Sequence, residues 1–156
     1  MKRYIHYGAT CFEPEKFEPI KNEEFFPKAR GGFWASDINA KCGWRAWCES
    51  ENFNLKSFEK YFTFTIAENA NIVLIDSIEK LKQLPRVETE LFTNRFFIDF
   101  EKALEQGIDG IEISITKCPE LYWALYGWDC DSIFIMNKAV ILPDKAVLKQ
   151  EKVNTL

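Results

Sequence analysis

Hydrophobic and polar positions alternate from the start of the chain. Tyr4, His6 and Gly8 interleave with Arg3, Ile5 and Tyr7, which predicts a strand over about residues 3–8 with His6 and Tyr7 on opposite sides. From Cys11 to Arg30 the periodicity disappears. Pro14, Pro19 and Pro27 and alternating charges mark an irregular loop of a length usually seen in lids or binding segments. Gly31-Gly32-Phe33-Trp34-Ala35-Ser36 predicts a short aromatic strand behind two permissive glycines. Ser36 or Asp37 can then cap a helix through Ala40, Trp44, Trp47 and Cys48, with both tryptophans gluing it to the core.

Further on, Tyr61 to Ile66 alternates aromatic or aliphatic residues with threonines and is a strand. Asn69 to Asn71 turns the chain into Ile72-Val73-Leu74-Ile75, which predicts a hairpin. Ser77 starts a short helix that Pro85 ends, and Phe92 to Gln106 carries a helical pattern closed by Gly107. Asp109 to Ile115 alternates as a strand with one polar face, and Pro119 to Tyr126 is a short helix or turn. Ile133 to Met136 is apolar without a break, as in a strand covered on both faces. Ala139 to Leu142 and Ala146 to Leu148 finish the sheet. With no repeat, low-complexity tract or linker, the order predicts one α+β domain over 1–156.

Composition sharpens this. A length of 156 residues, 47% of them hydrophobic and 28% charged, suffices for a core without disulfides or metal. Fourteen Phe, five Trp and five Tyr exceed what such a core needs, so some should line a groove where flat rings stack on a ligand. The net charge of -4, with no basic run, removes the electrostatic footprint expected of a duplex nucleic-acid binder. No signal core or membrane-length apolar stretch is present, which points to a cytoplasmic protein. Five scattered cysteines, one histidine and no Cys-x-x-Cys argue for reduced thiols and against zinc.

Candidate chemistry concentrates in Trp128-Asp129-Cys130-Asp131. If the extended conformation begins at Trp128, Asp129 and Asp131 share one side of the sheet and Cys130 takes the other. A carboxylate at the mouth of a buried strand must be hydrogen-bonded, paired or exposed in a cleft. Asp is also a common turn residue, so Asp129 can simply cap a turn.

Taken together, His6-Tyr7-Gly8 on the first strand, the Gly-Gly-Phe-Trp motif followed by a helix, and an acid leading a late strand resemble the ADP-ribosyltransferase superfamily. The similarity is to the branches that use a His, an aromatic and an acid. It implies a split, mostly antiparallel β core of short strands with flanking helices, gripping NAD in a bent conformation. NAD would be the substrate, cleaved at the nicotinamide-ribose bond, with ADP-ribose passed to a protein or nucleic-acid acceptor, as in toxin, defence or phage effectors. In that scheme His6 bonds the adenosine-side ribose and the backbone of Tyr7 or Gly8 holds the nicotinamide amide. Trp34 stacks on the nicotinamide ring, Phe33 faces the core, and Gly32 and Ser36 belong to the same binding motif. Asp131, or alternatively Asp129, grips the nicotinamide-side ribose. The family's acid is usually Glu, so an Asp must sit closer or act through water. Aligning on Gly8 leaves open whether His6 or Tyr7 faces the pocket.

The chemistry suits those residue types. Loss of nicotinamide leaves an oxocarbenium-like ribose that a fixed carboxylate stabilises, while an aromatic wall orients the leaving ring. Two other functions use the same features: a non-catalytic NAD- or ADP-ribose-binding or protein-interaction module on this scaffold, and hydrolysis of another glycosidic or phosphodiester bond.

Overall fold

A computed structural model describes residues 1–91 and 93–145. Its frame is one seven-stranded sheet in the order β4-β5-β6-β2-β1-β3-β7. The strands are β1 (Arg3–Tyr7), β2 (Phe33–Asp37), β3 (Tyr61–Ile66), β4 (Ile72–Ile75), β5 (Gly110–Ile113), β6 (Ser132–Ile135) and β7 (Ile141–Pro143). All neighbours are antiparallel except β4 and β5. Among the described residues four short α-helices flank them: α1 (Trp44–Glu51), α2 (Ile78–Leu81), α3 (Phe100–Glu105) and α4 (Glu120–Ala124). The class is α+β with a mostly antiparallel sheet, and no helix among the described residues is long and apolar enough to cross a membrane.

The unbroken apolar run becomes β6, buried at every position in the middle of the sheet. Alternation sorts its side chains. Ile133 and Ile135 join Tyr4, Ala35, Phe62 and Phe64 on one face. Phe134 points to the other, where Ile111, Ile113, Phe100 and Trp128 form the larger cluster under the helices. The polar face of β5 contains Glu112, which accepts from the Tyr4 hydroxyl at 3.1 Å and from Lys2. Ser77 caps α2 as expected, accepting from Lys80 N.

Two expectations are corrected. The hairpin of β3 with β4 does not form, because β4 lies at the far edge in parallel register with β5, Ile72 opposite Gly110. Reciprocal bonds, Asn71 N to Asp109 Oδ2 and Asp109 N to Asn71 O, both 2.8 Å, lock that register, and a crossover through α2 and α3 closes it. The long helix from 92 to 106 shrinks to α3, since the Asp99 side chain accepts from Lys102 N as its cap. Phe96 to Ile98 are instead buried and outside the helix, Ile98 bridging Arg86, with Val87 N bonded to Phe97 O and Asp99 N to Pro85 O. The strand expected over 146–148 lies outside the described residues.

The twin glycines are explained by packing. Gly32 has φ +67°, and a Cβ there would sit 2.4 Å from the Phe134 ring. Gly31 has φ +80°, and its Cβ would be 2.2 Å from Pro19 O. Together they let Glu18 and Pro19, in the middle of the long loop, lie against the start of β2. Gly32→Ala should therefore destabilise the protein by about 2 kcal/mol or more, since it combines left-handed backbone strain with overpacking against a buried ring. Urea unfolding measures this, and an unchanged midpoint would show that Phe134 yields freely.

Candidate functional site

The ladder between β1 and β2 is short. Tyr4 pairs with Asp37 and Ile5 with Ser36, and there the pairing stops. β2 continues with β6, through Trp34 opposite Phe134, while β1 continues with β3, through His6 opposite Phe62 and Tyr7 opposite Tyr61. A cavity of about 200 Å³ opens at this parting, lined among others by His6, Tyr7, Lys28, Trp34, Ser36, Trp44, Trp128, Asp129 and Cys130. His6, Tyr7, Trp34, Ser36 and Asp129 from the sequence are thus brought together, whereas Gly8, Gly32 and Asp131 are outside the lining.

Strand alternation alone would admit either His6 or Tyr7, yet both reach the cavity. Tyr7 shares the cavity face with Trp34, its ring edge-on to Phe58 at 5.0 Å. His6 stands on the opposite face, stacked on Phe33 at 4.2 Å and beside Phe62 at 5.4 Å. It borders the cavity through the gap between the strands, its Nδ1 2.7 Å from the Trp34 carbonyl. A carbonyl only accepts, so Nδ1 carries the proton. Burial holds the imidazole below its ordinary pKa, partly opposed by that bond, and the neutral ring keeps Nε2 as an acceptor. Phe33 lies in the aromatic core cluster on the His6 face.

Trp34 forms the cavity's aromatic wall. Its ring meets Trp128 edge-on at 4.7 Å and Phe134 at 4.7 Å, and the Lys28 ammonium lies 5.3 Å from its centroid. Trp128, fully buried, donates its Nε1 hydrogen to the Pro27 carbonyl at 3.2 Å, which ties the end of the long loop to this wall.

The two aspartates separate. The strand begins at Ser132 and not at Trp128, so the preceding chain is not extended and the acids do not share a face. Asp131 turns to Thr116, accepting from its amide at 2.9 Å and its hydroxyl at 2.6 Å. Its carboxylate lines a separate depression with Lys2, Lys41 and Lys117. Asp129 borders the cavity and accepts no hydrogen bond among the described residues. Burial raises its pKa, Lys28 opposes the rise and Glu51 adds to it.

Ser36 has a structural partner on each side. Its hydroxyl donates to Asp131 O at 3.1 Å and accepts from Trp44 N at 3.0 Å, so it satisfies the first amide of α1 from across the fold. The local cap is Gly43, which has no side chain to offer, rather than Ser36 or Asp37. Trp44 and Trp47 are half-buried, outside both core clusters, stacked on each other at 5.3 Å with Trp44 at the cavity rim. The core role expected of them is corrected accordingly. A groove past Tyr7 and Trp44 carries Arg45, whose guanidinium pairs with Glu49 at 2.8 Å and lies over Phe58.

Sequence reasoning missed Lys28, Trp128 and Cys130 as lining residues. Lys28 sits in an aperiodic loop and carries no motif, whereas Trp128 and Cys130 adjoin the aspartate that does. All five cysteines are free, and burial pushes the Cys130 thiol up to about 12, so it is no ready nucleophile. Among the described residues no three His, Cys, Asp or Glu side chains cluster as metal ligands.

No protein-family model, curated protein or solved structure matches this chain significantly.

Two measurements follow from this geometry. Because the folded state binds a proton at His6 less readily than the unfolded chain, the stability its neutral ring contributes is present above about pH 6.5 and lost below it. From about pH 7.5 to about 5.5 the melting temperature should fall less in His6→Gln than in the wild type, and parallel profiles would remove His6 as a source of the slope. Asp131→Ala should lose about 1–3 kcal/mol in urea unfolding, as Thr116 loses both partners. A variant as stable as wild type would mean water replaces the carboxylate.

Proposed function

We propose that this protein is an NAD-dependent ADP-ribosyltransferase of the His-aromatic-acid type, and that the parting of β1 and β2 is the split of that family's β core. The observation that carries the reading is the meeting of Trp34, Asp129 and the His6-Tyr7 pair, from three distant segments, in one cavity. At about 200 Å³ it is smaller than the roughly 300–1,000 Å³ common for sites of drug-sized ligands. The nicotinamide and its ribose would enter, while the pyrophosphate and adenosine pass over Tyr7 and Trp44 toward Arg45 in the adjoining groove.

In this reading Trp34 stacks on the nicotinamide ring and Asp129, rather than Asp131, faces the ribose. Its support is chemical. A carboxylate lacking protein hydrogen bonds and partly desolvated stabilises developing positive charge better than one already engaged by Thr116. The C1′–N bond breaks with its electron pair moving to the ring nitrogen, and the acceptor's nucleophile, on a protein or nucleic acid, then closes on C1′. His6, neutral and fixed by the Trp34 carbonyl, offers Nε2 to a ribose hydroxyl, and the Tyr7 backbone offers partners to the carboxamide.

The test is nicotinamide release from NAD, followed by chromatography. Asp129→Asn should lower it by on the order of 100-fold, with far-ultraviolet circular dichroism unchanged, and Asp131→Asn should affect it much less. Wild-type rates in Asp129→Asn would reject the mechanism. Binding of NAD without any release by the wild type would select the non-catalytic binding module.

A further inference from the structure

The cavity already holds a positive charge of its own. Lys28 follows Pro27, whose carbonyl is anchored by Trp128, so the backbone is held at the cavity wall and the ammonium is carried on a four-carbon stem with rotatable bonds. Its ammonium lies 5.3 Å from the Trp34 ring centroid, within cation–π range. Among the described residues it has no ion-pair partner within 4.0 Å. Asp129 borders the same space. An indole face and a carboxylate without hydrogen-bonded partners thus converge on one ammonium, and both attract cations of any kind.

We propose that Lys28 is the competing occupant of this cavity, its ammonium holding the place that the positively charged nicotinamide ring of oxidised NAD takes against Trp34, while Trp34 and Asp129 set the preference for charge. This rests on the transferase reading for the identity of the ring. Two like charges cannot share so small a space, so the ring enters only as Lys28 swings toward solvent. The exchange discriminates by charge. A pyridinium regains the attraction of Trp34 and Asp129 that the ammonium gives up, whereas a neutral ring, such as the reduced dihydronicotinamide, does not. It also favours product release. When the glycosidic bond breaks, the ring nitrogen keeps the bonding pair, nicotinamide leaves uncharged, and Lys28 again outcompetes it.

The experiment is a ligand-observed NMR titration of the full chain with 1-methylnicotinamide as charged ring, nicotinamide as neutral ring and tetramethylammonium as non-planar cation. These are run on wild type, Lys28→Met, which keeps the stem, and Lys28→Arg, which keeps the charge. Wild type should prefer 1-methylnicotinamide to nicotinamide several-fold. Lys28→Met should tighten 1-methylnicotinamide and nicotinamide alike, by about 3–10-fold, leaving the ratio between them unchanged, while Lys28→Arg behaves as wild type. Equal affinity for charged and neutral rings, or no gain in Lys28→Met, would overturn the proposal. Tetramethylammonium binding as tightly as 1-methylnicotinamide would also overturn it, in favour of an alkylammonium cage. Nicotinamide release from NAD, measured in parallel, separates the two claims. Lys28-dependent ring binding without release defeats only the transferase reading, and release with Lys28-independent binding defeats only this one.

Discussion

Backbone hydrogen bonds between β1 and β2 end at Ile5 and Ser36, and the cavity exists because they end there. Had the ladder run on, strand alternation would have put His6 and Tyr7 on separate faces with no space between the strands. The parted backbone still needs partners. On the β2 side the Trp34 carbonyl finds His6 Nδ1. The histidine is therefore a substitute for a missing ladder bond as well as a wall of the cavity, and its place in an aromatic stack keeps it neutral.

Beneath that gap β6 supplies rigidity. Buried on both faces, it holds Phe134 so close to the start of β2 that only glycine fits at position 32. Asp131, one residue before β6, is spent on Thr116, which fastens the exit of β5 to the entry of β6. Asp129, two residues earlier and beyond the sheet, has a carboxylate that accepts no hydrogen bond among the described residues. Two acids of one type, separated by a single cysteine, thus acquire different roles through what surrounds each, the principle by which carboxylates in one site diverge in chemistry.

The cavity combines a neutral histidine, three tryptophans, one carboxylate and one lysine in a partly apolar space. In the proposed reading such a set favours a flat, positively charged ligand group over a neutral one, since the aromatic face and the acid both attract charge while the lysine competes for the space. This is the electrostatic link between the geometry of the split and the NAD chemistry proposed for it.

Much of the local architecture was legible in the sequence because it depends on short-range physics. The alternation of Tyr4 to Tyr7, the apolar run Ile133 to Met136 and the Ser77 cap each state their own conformation within a few residues. The resemblance to a known family set the expectation that the first strand, Trp34 and an aspartate share a site, and one cavity is lined by His6, Tyr7, Trp34 and Asp129 but not Asp131. Elsewhere only distant contacts decided. β4 left its sequence neighbour for β5 because Asn71 and Asp109 bond each other, and Phe96 to Ile98 stayed outside the helix because Asp99 delays its start. Which aspartate faces the cavity turned on Thr116, and the presence of Lys28 there turned on the Pro27–Trp128 bond. Periodicity reports which way a side chain points along its own strand or helix. What stands opposite it is set by partners tens of residues away, and those follow from the tertiary structure alone.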